Sequence, residues 1–250
     1  MMIQRTLDAL AQLRLHGMAL ALREQMADPN MQQLSFEDRL GLLVDREVIH
    51  RDNRRLGRLW KACHAKDRSA ALEDLDYRDR KGLDRAQIAA LASCDYIRRG
   101  QNIMVDGTTG SGKTFLLCAL AQKACREGLS AWYVRAPRLF EELSLCHADG
   151  TFRRRLAALA RIQLLIVDDF ALTPIGARER SDLLELLDDR IGSRSVIIAS
   201  QLPPAQWHDY LGDPTVADAI MDRLIHGSHK IHLEAKESMR DPKRKQGGKA

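Results

Sequence analysis

Eight consecutive residues constrain this chain more than any others: Gly107, Thr108, Thr109, Gly110, Ser111, Gly112, Lys113 and Thr114, a complete G-x-x-x-x-G-K-[ST] pattern. Each fixed position answers a separate physical demand. Glycines let the backbone turn with φ > 0 and bring its N–H groups against phosphate oxygens. Lys113 supplies a point charge for the β/γ-phosphates, and the Thr114 hydroxyl is placed to ligate Mg²⁺. At ordinary glycine usage the pattern arises by accident in roughly 1% of chains this long. Residues 101–106 (QNIMVD) form a short apolar run before it, and residues 115–126 form a helix-like stretch stopped by Gly128. A strand, a glycine loop and a helix N-terminus together make an anion site.

With 250 residues the chain holds one large domain, or one domain and a small module. Its formal charge of +5 suits an anionic partner without requiring one. The five cysteines (Cys63, Cys94, Cys118, Cys125, Cys146) form no C-x-x-C pair and no metal spacing, so they read as reduced thiols. No apolar run approaches the ~18 residues of a membrane span. Arg5, Asp8 and Arg14 interrupt the N-terminal apolar stretch, which is therefore not a secretion signal. The expected compartment is the cytoplasm.

Apolar residues at helical spacing (Ile3, Leu7, Leu10, Met18, Leu22, Met26) predict a helix over residues 3–26, broken at Asp28-Pro29-Asn30. Ser35 and Asp38 form a capping-box-like start for a second helix, with Leu40, Leu43, Val44 and Val48 on its apolar face. Residues 1–66 read as a helical module for DNA contact or self-association, and 67–100 as a mixed linker with a turn at Lys81-Gly82 and a short helix after Asp84. From 101 onward strands (101–106, 130–135, 162–168, 195–200, 229–234) alternate with helices (137–148, 151–161, 177–191, 215–226). Near-continuous apolar strands are those of a parallel sheet buried on both faces. The pattern is that of a doubly wound α/β domain over 101–240, with ligand at the carboxyl ends of the strands. The tail 241–250 (DPKRKQGGKA) reads as disordered and basic.

The strand Leu164-Leu165-Ile166-Val167 ends in Asp168-Asp169. A carboxylate delivered beside a phosphate loop holds the metal, through Asp168 directly or via water. Asp169 points differently and is the candidate to polarise an attacking water. No N-K-x-D sequence follows, which favours ATP over GTP. Ser200-Gln201 end the next strand, where a polar group touches the γ-phosphate or the water, or merely marks a loop exit. Arg223, on a helix before the last strand, is a candidate arginine finger for a neighbouring subunit. By itself such an arginine is more often a solvated surface residue. Arg51, Arg54, Arg55, Arg58 and Lys61 recur at i, i+3, i+4, i+7 and i+10, which stacks five positive charges on one helical face. That stripe suits phosphates, as do Arg153-Arg154-Arg155 and Lys243-Arg244-Lys245; the alternative is a set of solvated faces. His226, His229 and His232 match no standard zinc spacing.

GTTGSGKT, LLIVDD, ASQLP, ADAIMDRL and the closing Glu237-Ser238-Met239-Arg240 fall in the order and spacing of the IstB family. LRLHGMALAL, LSFEDRLGLLVDRE and GLDRAQIAALASCDYIRRGQN match as well, so the resemblance covers residues 3–240. These are the transposition helper ATPases of bacterial insertion sequences, similar to DnaC helicase loaders and DnaA initiators, all AAA+ ATPases. The resemblance implies an AAA+ P-loop fold, a five-stranded parallel sheet between helices, behind a small all-α module. It implies Lys113 and Thr114 as Walker A, Asp168 and Asp169 as Walker B, Ser200 and Gln201 at the sensor-one position, and Arg223 as intersubunit finger. Relatives often carry Asn where Gln201 stands. Arg240 takes the sensor-two place, although the helical lid of larger AAA+ proteins is absent. The paired helices over 137–161 resemble the initiator-type insertion on the DNA-binding side. The implied activity is Mg²⁺-dependent ATP hydrolysis by a homo-oligomer on duplex DNA that recruits and stimulates a transposase. Other readings of the same loop are a DnaC-like replicative helicase loader, a small-molecule kinase, and a scaffold that binds ATP without hydrolysing it. The chain shows neither the acceptor pocket nor the Arg-bearing lid of such a kinase.

Overall fold

The computed structural model describes residues 2–77 and 80–235, apart from the side chains of residues 32, 80, 81 and 235. Arg240, the Glu237-to-Arg240 motif and the basic tail lie outside the described residues. The chain divides into two compact units, the first ending at Arg58 and the second beginning at Leu59.

The first unit is helical: α1 (Met2–Gln12), α2 (His16–Ala27) and most of α3 (Phe36–Cys63). The single helix expected over 3–26 is in fact two. Arg14 adopts φ +60° and the Leu15 N–H closes on the Leu10 carbonyl at 2.8 Å, a left-handed helix stop made without the glycine that usually marks one. Gly17 then lets α2 touch α3, since a Cβ there would lie 2.6 Å from the Arg46 carbonyl oxygen. The Gly17 and Met18 N–H groups donate to Glu47 Oε2 at 2.7 and 3.1 Å. Farther along, Asp28 caps a 3-10 turn at Pro29–Gln33, and Ser35 Oγ accepts the Asp38 N–H at 3.1 Å at the head of α3. Of the apolar face expected at Leu40, Leu43, Val44 and Val48, Leu43 is half-buried and the others are exposed, and the side chain α3 buries here is Glu47.

Burial by itself raises the Glu47 carboxyl, but the hydrogen bonds from Arg51, Met18 and Gly17 outweigh it and hold the group below its ordinary value. A depressed folded-state carboxyl stabilises above its unfolded pKa and loses that contribution as pH falls through the folded value. Glu47→Gln should therefore cost about 1–3 kcal/mol near neutral pH and progressively less toward acid. Urea melts of the two proteins across pH 3 to 7 check this; a constant difference removes Glu47 ionisation from the account.

The second unit carries, in chain order, β1 (Arg80–Lys81), α4 (Arg85–Ala92), α5 (Asp95–Arg98), β2 (Ile103–Gly107), α6 (Lys113–Arg126) and β3 (Ala131–Arg135). There follow α7 (Ala136–Ala148), α8 (Phe152–Ala160), β4 (Leu164–Phe170), α9 (Ala177–Asp188), β5 (Ser195–Ser200), α10 (Trp207–Leu211), α11 (Pro214–Ile225) and β6 (His229–Ala235). Sheet order is β1-β6-β2-β5-β4-β3. The five strands β6, β2, β5, β4 and β3 are parallel, and β1 adds a two-residue antiparallel edge through Arg80↔Ala235 and Lys81↔Glu234. The sequence pattern missed β1, α5 and α10, which are too short to show a period.

Alternation along the strands divides the core. Leu165 and Val167 of β4, with Val196 and Ile198 of β5, join Leu139, Leu183, Ile220 and Trp207 in one apolar cluster built with α7 to α11. Ile166 and Ile197, one residue out of phase, are fully buried on the opposite face, and α6 contacts β2 to β5. Burial on both sides is why these strands read as unbroken apolar runs.

Candidate nucleotide-binding site

The glycine loop leaves β2 and enters α6 at Lys113, at the carboxyl end of the sheet. Gly107 has φ +145°, and a Cβ there would lie 2.0 Å from the Leu233 carbonyl oxygen of β6, so no larger residue fits. Gly112, at φ +93°, turns the chain into the helix. Lys113 Nζ donates to the carbonyls of Gly107 and Thr108 at 2.6 and 2.9 Å, which folds the side chain over its own loop. Ser111 is fully buried and its hydroxyl has no hydrogen-bond partner among the described residues. An orphaned hydroxyl in a glycine cradle at a helix N-terminus fits a phosphate group.

Opposite this loop stands the end of β4. Asp168 is 1% exposed, and its Oδ2 accepts hydrogen bonds from Thr114 Oγ1 and Tyr133 Oη, each at 2.7 Å. A threonine hydroxyl beside a buried carboxylate is a hard-oxygen pair of the kind Mg²⁺ takes while keeping several waters, so these residues fit the ion. Burial and the Asp168 charge push the Tyr133 phenol far above its ordinary value, so it remains a donor to the carboxylate.

Asp169 turns away from its neighbour. The β4–β5 register shifts between Val167 and Phe170, and Asp169 takes φ +56°, a conformation Asp tolerates better than most side chains. The turn brings Asp169 to the nucleotide-side cavity, where Arg135 Nε at the tip of β3 donates to its Oδ2 at 2.6 Å. The cavity has a volume of about 640 Å³, within the range of small-ligand sites, and Thr109, Gly110, Gly112, Lys113, Thr114 and Gln201 also line it. Ser200 is buried, and its Oγ accepts the Leu202 N–H at 3.0 Å, which forms the turn that presents Gln201.

Three residues at the junction of the expected helical module and linker line the same cavity: Lys66, Asp67 and Arg68. The Asp67 N–H reaches Cys118 Sγ of α6 at 3.4 Å, and the Asp67 carboxylate accepts from Ser69 Oγ and Ser69 N–H at 2.7 and 2.9 Å. Those bonds hold the Asp67 carboxyl below its ordinary value. Sequence reasoning missed Lys66, Asp67 and Arg68 along with Tyr133 and Arg135. The Asp67-Arg68-Ser69 turn was the one local signal; strand order supplies the rest.

Arg223 lies at the other end of the sheet. Asn102, just before β2, donates its Nδ2 to the Arg223 carbonyl at 2.9 Å. The guanidinium bonds to the Asp188 carboxylate and, through Nη1, to the Ala219 carbonyl at 2.7 Å.

The basic residues are dispersed. Arg51, Arg54, Arg55, Arg58 and Lys61 are all exposed on α3, with Arg51 Nε 2.7 Å from Glu47 Oε1. Arg153 and Arg154 are exposed on α8, whereas Arg155 lies 2.6 Å from Glu142 and stacks over Trp132 with 4.6 Å to the ring centroid. The three histidines take different surroundings: His226 is exposed, His229 meets Gln101, and His232 bonds to Asp106 and Glu234. No helix among the described residues is long and apolar enough to cross a membrane.

Comparison with known proteins places these features in a family context. Residues 8–247 match the family described as IstB-like ATP binding protein. The chain is 53% identical over 203 residues to the insertion sequence IS1162 ATP-binding protein of Pseudomonas fluorescens, covering 81% of this chain and 88% of that one. It is 45% identical over 248 residues to the insertion sequence ATP-binding protein y4pL of Sinorhizobium fredii, covering 98% and 100%. Among solved structures, DnaI aligns with TM-score 0.58 and 23% identity over 69% of this chain and 91% of its own. The DnaC helicase loader aligns with TM-score 0.53 and 15% identity over 71% and 99%. At such identities these structures share the fold, a parallel sheet between helices with a phosphate loop, and establish nothing narrower.

Proposed function

The chain belongs to the IstB-like ATP binding protein family, and from that premise we propose that it hydrolyses ATP while assembled on duplex DNA as a helper of transposition. The observation that carries the reading is the Thr114–Asp168 pair set against the glycine cradle, with Asp169 and Gln201 facing the same cavity. Loop N–H groups and Lys113 bind the phosphates. Thr114 and Asp168 would hold Mg²⁺, which when bound neutralises charge on the β- and γ-phosphates. Asp169 orients the attacking water and takes up its proton as the oxygen joins the γ-phosphorus and the β–γ bridging oxygen leaves on ADP. Arg135 holds that carboxylate in place.

Arg223 acts in trans. It sits at the start of β2 and the cradle at its end, and five residues of strand separate them by roughly 16 Å, beyond the length of an arginine side chain. Its target is therefore the triphosphate of a neighbouring copy, which makes the site an intersubunit one. Relatives of 53% and 45% identity are insertion-sequence proteins, while the likeness to the DnaC helicase loader is one of fold. The transposition reading therefore stands ahead of helicase loading, and the partner expected is the transposase of the same element.

Phosphate release and particle size, measured with and without duplex DNA, test the proposal: both should rise with DNA and ATP together. If neither responds to DNA, the DNA-linked reading falls. Replacing Arg54, Arg55 and Arg58 together with Ala should weaken DNA binding and lower the slope of log Kd against log salt by about 2–3. An unchanged slope returns that stripe to solvent.

A further inference from the structure

We infer that Arg99 is a second cation delivered in trans to the neighbouring copy's triphosphate, working beside Arg223. The inference rests on the intersubunit reading of Arg223 and extends it to a residue that neither the motifs nor the family resemblance singled out.

The supporting feature is a cavity of about 440 Å³ at the end of the sheet away from the glycine loop. Arg99, Arg223, His226 and Ile191 line it. Gln101 and Asn102, which lead into β2, form part of its wall, so the arginines there are separated from this chain's own phosphate loop by the full length of that strand. A cation in this place serves a ligand brought by another molecule, or none.

The two arginines differ in how they are held. Arg223 is committed to Asp188 and to the Ala219 carbonyl. Arg99 is exposed, and among the described residues no hydrogen bond or ion pair engages its guanidinium. Its backbone is fixed: the Arg99 N–H bonds to the Asp95 carbonyl at 2.9 Å, and Gly100 follows at φ +64°, with Gly192 so close that a Cβ would meet its backbone at 2.9 Å. A free guanidinium on a rigid base is poised for an anion that arrives from outside.

The occupant is a second copy of this chain presenting its bound nucleotide. The cavity offers Arg99 and Arg223 against the single acid Asp222 in its wall, which complements a polyphosphate. The apolar Ile191 in its wall is 55% exposed, as suits a surface that another protein covers. On approach, Arg99 meets the phosphates directly, and Arg223 exchanges Asp188 for the γ-phosphate. Both stabilise the charge that builds on the phosphoryl oxygens as the bond to the bridging oxygen breaks, and neither transfers a proton.

The test uses full-length protein in mixtures. Arg99→Ala alone should bind ATP as the parent does, melt at the parent temperature and hydrolyse about 100-fold more slowly. Arg99→Lys, which keeps the charge, should recover part of the rate. Mixed with Lys113→Ala protein, which donates intact arginines but holds no nucleotide, Arg99→Ala protein should regain turnover, as should Arg223→Ala protein mixed the same way. If the Arg223 mixture recovers and Arg99→Ala is either as fast as the parent or slow without recovery, Arg99 has no trans role. If neither mixture recovers, the intersubunit reading itself fails and Arg99 with it.

Discussion

Arg223→Ala protein should bind ATP with the parent's affinity and turn it over about 10³- to 10⁵-fold more slowly. Affinity is spared because Arg223 lies at the opposite end of the sheet from its own cradle. Turnover should fall because, in the proposed intersubunit arrangement, the phosphoryl group in flight is a neighbour's, and its growing charge then loses the arginine finger. The substitution also removes the bond to Asp188 that joins α11 to α9, and the bond to the Ala219 carbonyl within α11. A purely structural role would lower the melting temperature and leave the rate per folded molecule unchanged. Single-turnover hydrolysis at saturating ATP, read beside a thermal melt, separates the two. A parent-like rate removes Arg223 from the machinery.

Lys113→Ala is the second large effect, and it falls on binding. The ammonium group spans the loop, bonded to the Gly107 and Thr108 carbonyls at 2.6 and 2.9 Å, within reach of where the β/γ-phosphates rest. Charge-assisted hydrogen bonds contribute about 1.5–3 kcal/mol each, so losing them weakens ATP by at least about 100-fold in Kd. Titration with a fluorescent ATP analogue measures the loss. Retained affinity would mean that the cradle's backbone N–H groups carry the triphosphate alone.

The two predictions differ in how far the sequence foretells them. Lys113 is announced by its own neighbours, because a phosphate loop of this type needs glycines before its lysine and a hydroxyl after it. The parallel strands were legible for a similar reason: burial on both faces demands unbroken apolar runs such as Leu164 to Val167 and Val196 to Ala199. Legibility failed where a structure is made by few residues or by an unusual conformer. The two-residue β1 carries no period, and Arg14 ends α1 in a conformation that glycine normally supplies.

At the candidate site the division is sharper. Local pattern sufficed for the cradle, the Asp168-Asp169 strand end and the helix that follows the loop, because backbone geometry and burial act on adjacent residues. Only the folded chain decided that Tyr133 bonds to Asp168 and that Arg135 reaches Asp169, since both depend on β3 lying beside β4 in the register Arg135↔Asp168. It alone carried Lys66 to Arg68 to the nucleotide cavity, through a contact spanning 51 residues from Asp67 to Cys118. It also set Arg99 and Arg223 in one cavity at the far end of the sheet. Such meetings follow from strand order and crossover packing, which sum many distant contacts, and no short stretch of sequence encodes that sum.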